Sequence, residues 1–144
     1  MAIQQVLFLC TGNACRSQMA EGWARNMHGE RIEAYSAGVL KHGVDERAVQ
    51  VMAEVGVDIS SQESKTVDEL PHQNFDAIIT LCDQANESCP FFPGSFLRLH
   101  RGFDDPPGLA KDAPDEQSAL LIYRRVRDEI KECVLGLPKR LKSE

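Results

Sequence analysis

Cys10-Thr11-Gly12-Asn13-Ala14-Cys15-Arg16-Ser17 follows directly on the apolar run Val6-Leu7-Phe8-Leu9. Its residue types and spacing suit a thiolate nucleophile at the floor of an anion cradle. A cysteine, five residues and an arginine close a loop whose successive backbone N–H groups point inward, and Gly12 lets the backbone turn where a Cβ would obstruct it. The loop runs into a helix, so the positive end of the helix dipole faces the same ring. These surroundings favour charge on sulfur and hold the thiol well below its ordinary value of about 8.5. Arg16 presents a planar fork to two oxygens of a tetrahedral oxyanion, and Ser17 donates a hydroxyl hydrogen bond to the thiolate. Thr11, Gly12, Asn13, Ala14, Cys15 and Arg16 make up the cradle, with the Cys15 thiol packing beneath it.

Two other segments supply what such a nucleophile needs. In Phe103-Asp104-Asp105-Pro106-Pro107, Asp105 is a candidate general acid, since a thiolate displacing oxygen from a tetrahedral centre needs a proton on the leaving group. Asp-Pro pairs also form plain solvated turns. Cys82 and Cys89 bracket Asp83-Gln84-Ala85-Asn86-Glu87-Ser88. Were that segment helical, the two sulfurs would share a face about 10 Å apart along the axis. A disulfide tolerates Cα separations only to about 7 Å. Joining them therefore requires unwinding, so the pair is either a redox device coupled to a conformational change or two unrelated thiols.

The elements that must position these residues alternate between short strands and amphipathic helices, which implies a parallel sheet flanked by helices in an α/β fold. Strands are expected at 4–9, 32–37, 75–81 and 95–100. The first helix, from Ser17 to about Met27, carries Met19, Ala20, Trp23, Ala24 and Met27 at helical spacing. Asp45 caps a second helix bearing Ala48, Val49, Met52 and Val55 and ending at Gly56. Thr66 and Glu69 have capping-box spacing. The last helix starts near Asp115, turns Ala119, Ile122, Val126, Ile130 and Cys133 inward, and is stopped by Gly136 and Pro138. On this placing Cys133 is a buried, inert thiol. Irregular stretches 82–94 and 101–114 follow the third and fourth strands, where such folds put their chemistry.

A length of 144 residues suits a single domain over 1–144. The start lacks a basic n-region and no apolar run approaches a membrane span, so a cytoplasmic protein without membrane partners is expected. Five cysteines in that compartment argue for reactive thiols over structural disulfides. No zinc-module spacing is present, and His28, His42, His72 and His100 are scattered, suiting surface or capping roles and leaving no metal site. A net charge of −6 argues against nucleic acid, so any oxyanion must be held by a local positive field. The basic end Lys139-Arg140-Leu141-Lys142 reads as solvated.

The Cys10 loop, Glu21-Gly22-Trp23-Ala24, Tyr35-Ser36-Ala37-Gly38, Val55 to Ser60, Thr80-Leu81-Cys82 with Cys89-Pro90, Gly102 to Pro106 and Arg125 to Ile130 together resemble the thioredoxin-coupled arsenate reductases of the low-molecular-weight protein tyrosine phosphatase fold family. The resemblance covers nearly the whole chain and implies a four-stranded parallel sheet. It further implies arsenate as substrate, with phosphate or sulfate as competing oxyanions, and a relay from Cys10 to Cys82 to Cys89. Thioredoxin would reduce the final disulfide, with no bound cofactor and a monomeric enzyme. The catalytic set it implies is Cys10, Arg16, Ser17, Cys82, Cys89 and Asp105. Some relatives bind potassium through residues matching Asn13, Glu21 and Ser36 plus an acidic side chain where this chain has Lys65. A lysine there repels the ion. Its ammonium is expected to bond Glu21 or Asn13 instead, with Asn13, Glu21, Ser36 and Lys65 bracing the loop. The phosphatases of the same fold share the Cys10 loop and Asp-Pro pair, so a phosphatase using Cys10, Arg16 and Asp105 is the alternative. They usually follow that pair with an aromatic residue, and here Pro107 and Gly108 stand there. A non-catalytic oxyanion binder or redox sensor is disfavoured by the intact nucleophile, arginine and acid.

Overall fold

The computed structural model describes residues 3–87, 92, 94 and 96–142. Four parallel strands form one sheet in the order β2, β1, β3, β4: β1 (Gln4–Cys10), β2 (Ile32–Gly38), β3 (Ala77–Thr80) and β4 (Leu97–His100). Val6, Leu7, Phe8 and Leu9 of β1 and Ala77, Ile78, Ile79 of β3 are almost wholly buried, as strands flanked by helices should be. The register pairs Leu9 with Thr80 and Cys10 with Gly38. Chain order reverses between β1 and β3, which opens a crevice beyond their carboxyl ends.

The helices are α1 (Arg16–His28), α2 (Glu46–Glu54), α3 (Asp83–Glu87), α4 (Pro106–Ala110), α5 (Glu116–Leu135) and α6 (Leu137–Lys142). Asp45 caps α2 by accepting from the Arg47 N–H at 2.8 Å. Asp115 caps α5 through the Ser118 N–H at 2.8 Å. Between α2 and β3, a 3-10 turn over Val67–Glu69 carries the expected capping box, with the Thr66 N–H donating to the Glu69 carboxylate at 3.0 Å.

Several expectations shift. Strand β3 is shorter than 75–81, although Phe75 and Leu81 are buried beside it. Strand β4 begins at Leu97, and Ser95 lies outside the described residues. The stretches expected to be irregular contain α3 and α4. On α2 the inward residues are Ala48, Val51 and Met52, whereas Val55 is exposed at the C-cap. The buried face of α5 is rotated: Leu120, Tyr123, Arg127 and Val134 join Ala119, Val126 and Ile130, leaving Ile122 and Cys133 half-buried. Tyr123 and Arg127 turn inward because each finds a polar partner there. Gly136 does end α5, but Pro138 opens the short α6 rather than stopping the chain's helical course, as proline tolerates a first turn.

Arg127 ties three elements together. Its guanidinium donates to the Val51 carbonyl (2.9 Å) and to Glu54 (3.0 Å), while its carbonyl accepts from the Trp23 indole at 3.2 Å. Arg124 adds a two-pronged bond to the Glu54 carboxylate at 2.9 and 2.8 Å. Bonding to Arg124 first, then its charge and Arg127, holds the Glu54 carboxyl below its ordinary 4.5. A carboxylate depressed in the folded state contributes stability above its unfolded value and loses it as pH falls through the folded one. Glu54→Gln should therefore lower the thermal midpoint at pH 7, and the gap to the native chain should close as the pH drops below about 4.5; a gap independent of pH would show that α2 and α5 are not held by this ion pair.

Candidate active site

The loop from Cys10 to Arg16 sits at the β1 crevice and is shaped by Asn13. Its φ of 49° is the left-handed conformation, which a side chain tolerates when its own polar atoms repay the strain. Asn13 Oδ1 accepts from the Lys65 N–H (2.8 Å) and from Gln18 Nε2 (2.9 Å). Asn13 Nδ2 then donates to Ser17 Oγ at 2.7 Å. Ser17 Oγ lies 2.9 Å from Cys10 Sγ. Because a backbone N–H only donates, the Asn13 amide has one orientation, Ser17 accepts from it, and the Ser17 hydrogen is left for the sulfur. That is the polarity an anionic nucleophile requires.

The loop is clasped from two sides. The chain leaving β2 donates its Leu40 and His42 N–H groups to the Thr11 and Gly12 carbonyls at 2.9 and 3.0 Å. A Cβ on Gly38 would stand 2.7 Å from Asn13 N and 2.8 Å from Thr11 O, so only glycine fits where strand and loop cross. From the other side, Ser64 Oγ donates to the Gly12 carbonyl at 3.2 Å and Gln18 Nε2 to the Glu63 carbonyl at 3.0 Å. Asp45 donates its N–H to the Ala14 carbonyl (2.9 Å), and Tyr123 Oη donates to its carboxylate at 2.6 Å. Burial and the Asp45 carboxylate both push the Tyr123 phenol up, so it stays a donor. Burial and Asp45 likewise raise the Cys15 thiol, which makes it the unreactive neighbour expected beneath the loop.

Arg16 is almost buried and donates to the Phe103 carbonyl at 3.0 Å, with Nη2 3.6 Å from Asp105 Oδ1. Phe103 is itself anchored by its N–H to the Leu81 carbonyl at 3.1 Å. Asp105 precedes α4 without capping it, and its carboxylate rests against Gly108. Cys10, Arg16 and Asp105 thus line one cavity of about 350 Å³, walled by Gly12, Pro107 and Gly108. His42 and Lys111 line it as well. Neither carries a motif: by sequence His42 suits a surface or capping role and Lys111 has none, the one usable signal being that His42 follows a strand, β2, that ends at the sheet's carboxyl edge.

Cys82 is buried at the end of β3, with its sulfur 3.2 Å from Thr11 Oγ1 of the loop and accepting the Ala85 N–H at 3.4 Å. The second sulfur is therefore in touch with the cradle. His100 bridges Thr80 Oγ1 (2.8 Å) and Asp83 (3.2 Å), pinning the start of α3. Cys89 lies outside the described residues.

Of the bracing set, Glu21 accepts from Ser36 Oγ at 2.5 Å and from Arg25 at 2.7 Å. The Lys65 ammonium bonds neither Glu21 nor Asn13, contrary to expectation. It donates to the Glu63 carbonyl at 2.8 Å, because Arg25, one turn along α1, already reaches Glu21; the Lys65 backbone N–H serves Asn13 instead. Burial pulls the Lys65 ammonium down while Glu21 pushes it up. A potassium ion here would meet the Arg25 guanidinium on Glu21 and an Asn13 oxygen already taken by two donors. These residues do not fit a resident cation.

Residues 5–144 match the family model of the low molecular weight phosphotyrosine protein phosphatases. An arsenate reductase from Halalkalibacterium halodurans is 48% identical over 125 residues, 87% of this chain and 88% of that protein. One from Bacillus subtilis is 47% identical over 125 residues, with the same coverage of 87% and 88%. Among solved structures, an arsenate reductase in its phosphate-binding state superposes with a TM-score of 0.77 at 30% identity, covering 96% of this chain and 99% of its own.

If the hydrogen-bond polarity is right, Ser17→Ala removes a donor to a charged group, worth about 1.5 kcal/mol, or roughly tenfold in rate. Alkylation of Cys10 by iodoacetamide at pH 7, followed by peptide mapping, should slow severalfold, less than that factor because a thiolate with one donor fewer is also the better nucleophile. An unchanged rate would mean that the hydroxyl hydrogen points elsewhere.

Proposed function

The chain belongs to the low molecular weight phosphotyrosine protein phosphatase family, and from that premise we propose that it reduces arsenate to arsenite through Cys10, Cys82 and Cys89 in turn, with thioredoxin as the final reductant. The observation that carries this reading is the contact of the Cys82 sulfur with Thr11 of the oxyanion loop. Phosphoester hydrolysis itself needs no second sulfur there.

The chemistry divides into thiol steps. Arsenate sits on the loop amides and Arg16. The Cys10 thiolate attacks arsenic, one As–O bond breaks, and Asp105 protonates the departing oxygen, which leaves as water; the product is an arsenic ester on sulfur. The Cys82 thiolate then attacks the Cys10 sulfur. The S–As bond breaks with its electron pair going to arsenic, so arsenic leaves as arsenite and a Cys10–Cys82 disulfide remains. Cys89 attacks Cys82, Cys10 departs as thiolate, and the oxidising equivalents now reside in a Cys82–Cys89 disulfide. The dithiol of thioredoxin reduces that bond, so no resident redox cofactor is needed.

The spacing of the β1 and β3 ends supports the second step. Neighbouring strands lie about 4.8 Å apart, and the Leu81 N–H donates to the Leu9 carbonyl at 2.8 Å, which puts Cys10 at the end of β1 beside Cys82, just past the end of β3. The phosphatase reading rests on the shared loop and Asp105 alone.

The test is NADPH oxidation coupled through thioredoxin and thioredoxin reductase with arsenate present. The native chain should turn over steadily. Cys89→Ser should release roughly one equivalent of arsenite and stop with Cys10 joined to Cys82. Arsenite production by Cys82→Ser at the native rate, or rapid para-nitrophenyl phosphate hydrolysis without arsenate-dependent NADPH oxidation, would overturn the relay. The same assay should run equally fast in potassium and in sodium salts, since Arg25 and Lys65 already supply positive charge around Glu21; a several-fold preference for potassium would contradict that.

A further inference from the structure

His42 and Lys111 are two basic side chains lining the 350 Å³ cavity that take no part in the proposed thiol steps. They arrive from different parts of the chain. His42 comes four residues after β2, its N–H bound to the Gly12 carbonyl at 3.0 Å, and its ring lies so close to Gly12 that a Cβ there would stand 2.5 Å from Nδ1. Lys111 is the C-cap of α4, on the segment that carries Asp105. Neither side chain has a hydrogen-bond or ion-pair partner among the described residues. Around Glu54, Glu21 and Glu69, by contrast, basic side chains are engaged at 3.0 Å or less. Two donors line the oxyanion cavity and are left uncommitted by the protein.

We propose that His42 and Lys111 form an outer clamp that selects a free inorganic oxyanion over organic monoesters of the same anion. The proposal rests on the Cys10 loop being the oxyanion site. Three oxygens of a tetrahedral anion face the loop amides and Arg16, and the fourth points away from the Cys10 sulfur towards the cavity mouth. In arsenate that oxygen bears at most a hydrogen, so His42 and Lys111 can both donate to it while Asp105 supplies the proton for its departure. In an aryl or alkyl ester the same oxygen carries carbon. The organic group then fills the space the two side chains would use, covers polar groups it cannot satisfy, and finds no aromatic wall to rest on, since the cavity there is Pro107 and Gly108. Both side chains are exposed, so what the ester forfeits is the bonds they would make to that oxygen, a loss of roughly tenfold.

The experiment compares kcat/KM for arsenate in the thioredoxin-coupled assay with kcat/KM for para-nitrophenyl phosphate, in the native chain, His42→Leu and Lys111→Met. The ratio cancels any loss of folded protein. It should fall by roughly tenfold in each variant, mostly through the arsenate KM, and His42→Gln and Lys111→Arg should recover most of it. A ratio that stays constant while both activities fall together would overturn the clamp and leave the two residues a structural role. If the native chain does not reduce arsenate at all, the proposed function fails, but the clamp is still read by inorganic phosphate as inhibitor of para-nitrophenyl phosphate hydrolysis. Its inhibition constant should then rise roughly tenfold in both variants, and an unchanged constant would sink the clamp independently.

Discussion

The site depends on one amide, that of Asn13. Its backbone is left-handed, a conformation that costs free energy for any residue with a Cβ, and its side chain is bonded at both ends. The donor side of that amide faces Ser17 only because the acceptor side is occupied by the Lys65 N–H, a group with no alternative role. The direction of the hydrogen on Ser17, and hence the donor offered to the Cys10 sulfur, is thereby decided by a backbone segment more than fifty residues away in sequence. An anion cradle in a chain of net charge −6 has to be arranged in this local way. With the chain as a whole negative, attraction for an oxyanion has to come from donors aimed at the site before it arrives.

Strand order explains how distant pieces meet. With β1 and β3 adjacent and chain order reversing between them, the residues that follow each strand emerge into one crevice. Cys10 leaves β1, Cys82 leaves β3, the strap through Leu40 and His42 leaves β2, and the Phe103–Asp105 segment follows β4. Each is pinned to the sheet or the loop by backbone bonds of about 3 Å, so the geometry of the candidate site is inherited from the sheet rather than assembled by side chains. The buried polar residues of α1, Gln18 and Glu21, carry the same logic outward, linking the loop to segment 62–65 and to β2.

Much of this was readable from residue types because the anion loop is local in sequence. Cysteine, glycine, arginine and serine at fixed offsets carry their geometry with them, and Asp45 and Asp115 announce helix starts by the same local chemistry. What escaped the reading depends on partners remote in sequence. Tyr123 looks apolar by periodicity until Asp45 gives its hydroxyl a partner, and that single bond, with the inward Arg127, rotates the buried face of α5 away from Ile122 and Cys133. Lys65 was assigned by its charge, yet its backbone N–H does the bracing while Arg25, four residues beyond Glu21, takes the carboxylate. His42 and Lys111 had no motif at all, since lining a cavity is a property of folded space.

The proposed relay adds a requirement that the static cradle does not. Cys82 has to leave two contacts, with Thr11 and with the Ala85 N–H, before its sulfur can engage Cys10. Both are bonds to sulfur, which is a weak acceptor, and they lie at 3.2 and 3.4 Å. The helix that follows has five residues, too few to be stable by its own hydrogen bonds, and its start is tied by the bridge from His100 to the exposed Asp83. Cys10 is thus gripped by a buried network, while Cys82 is docked against it by contacts that are cheap to break. That asymmetry is what a sequential thiol cascade needs: the sulfur that binds the anion must not move, and the sulfur that collects the oxidising equivalents must.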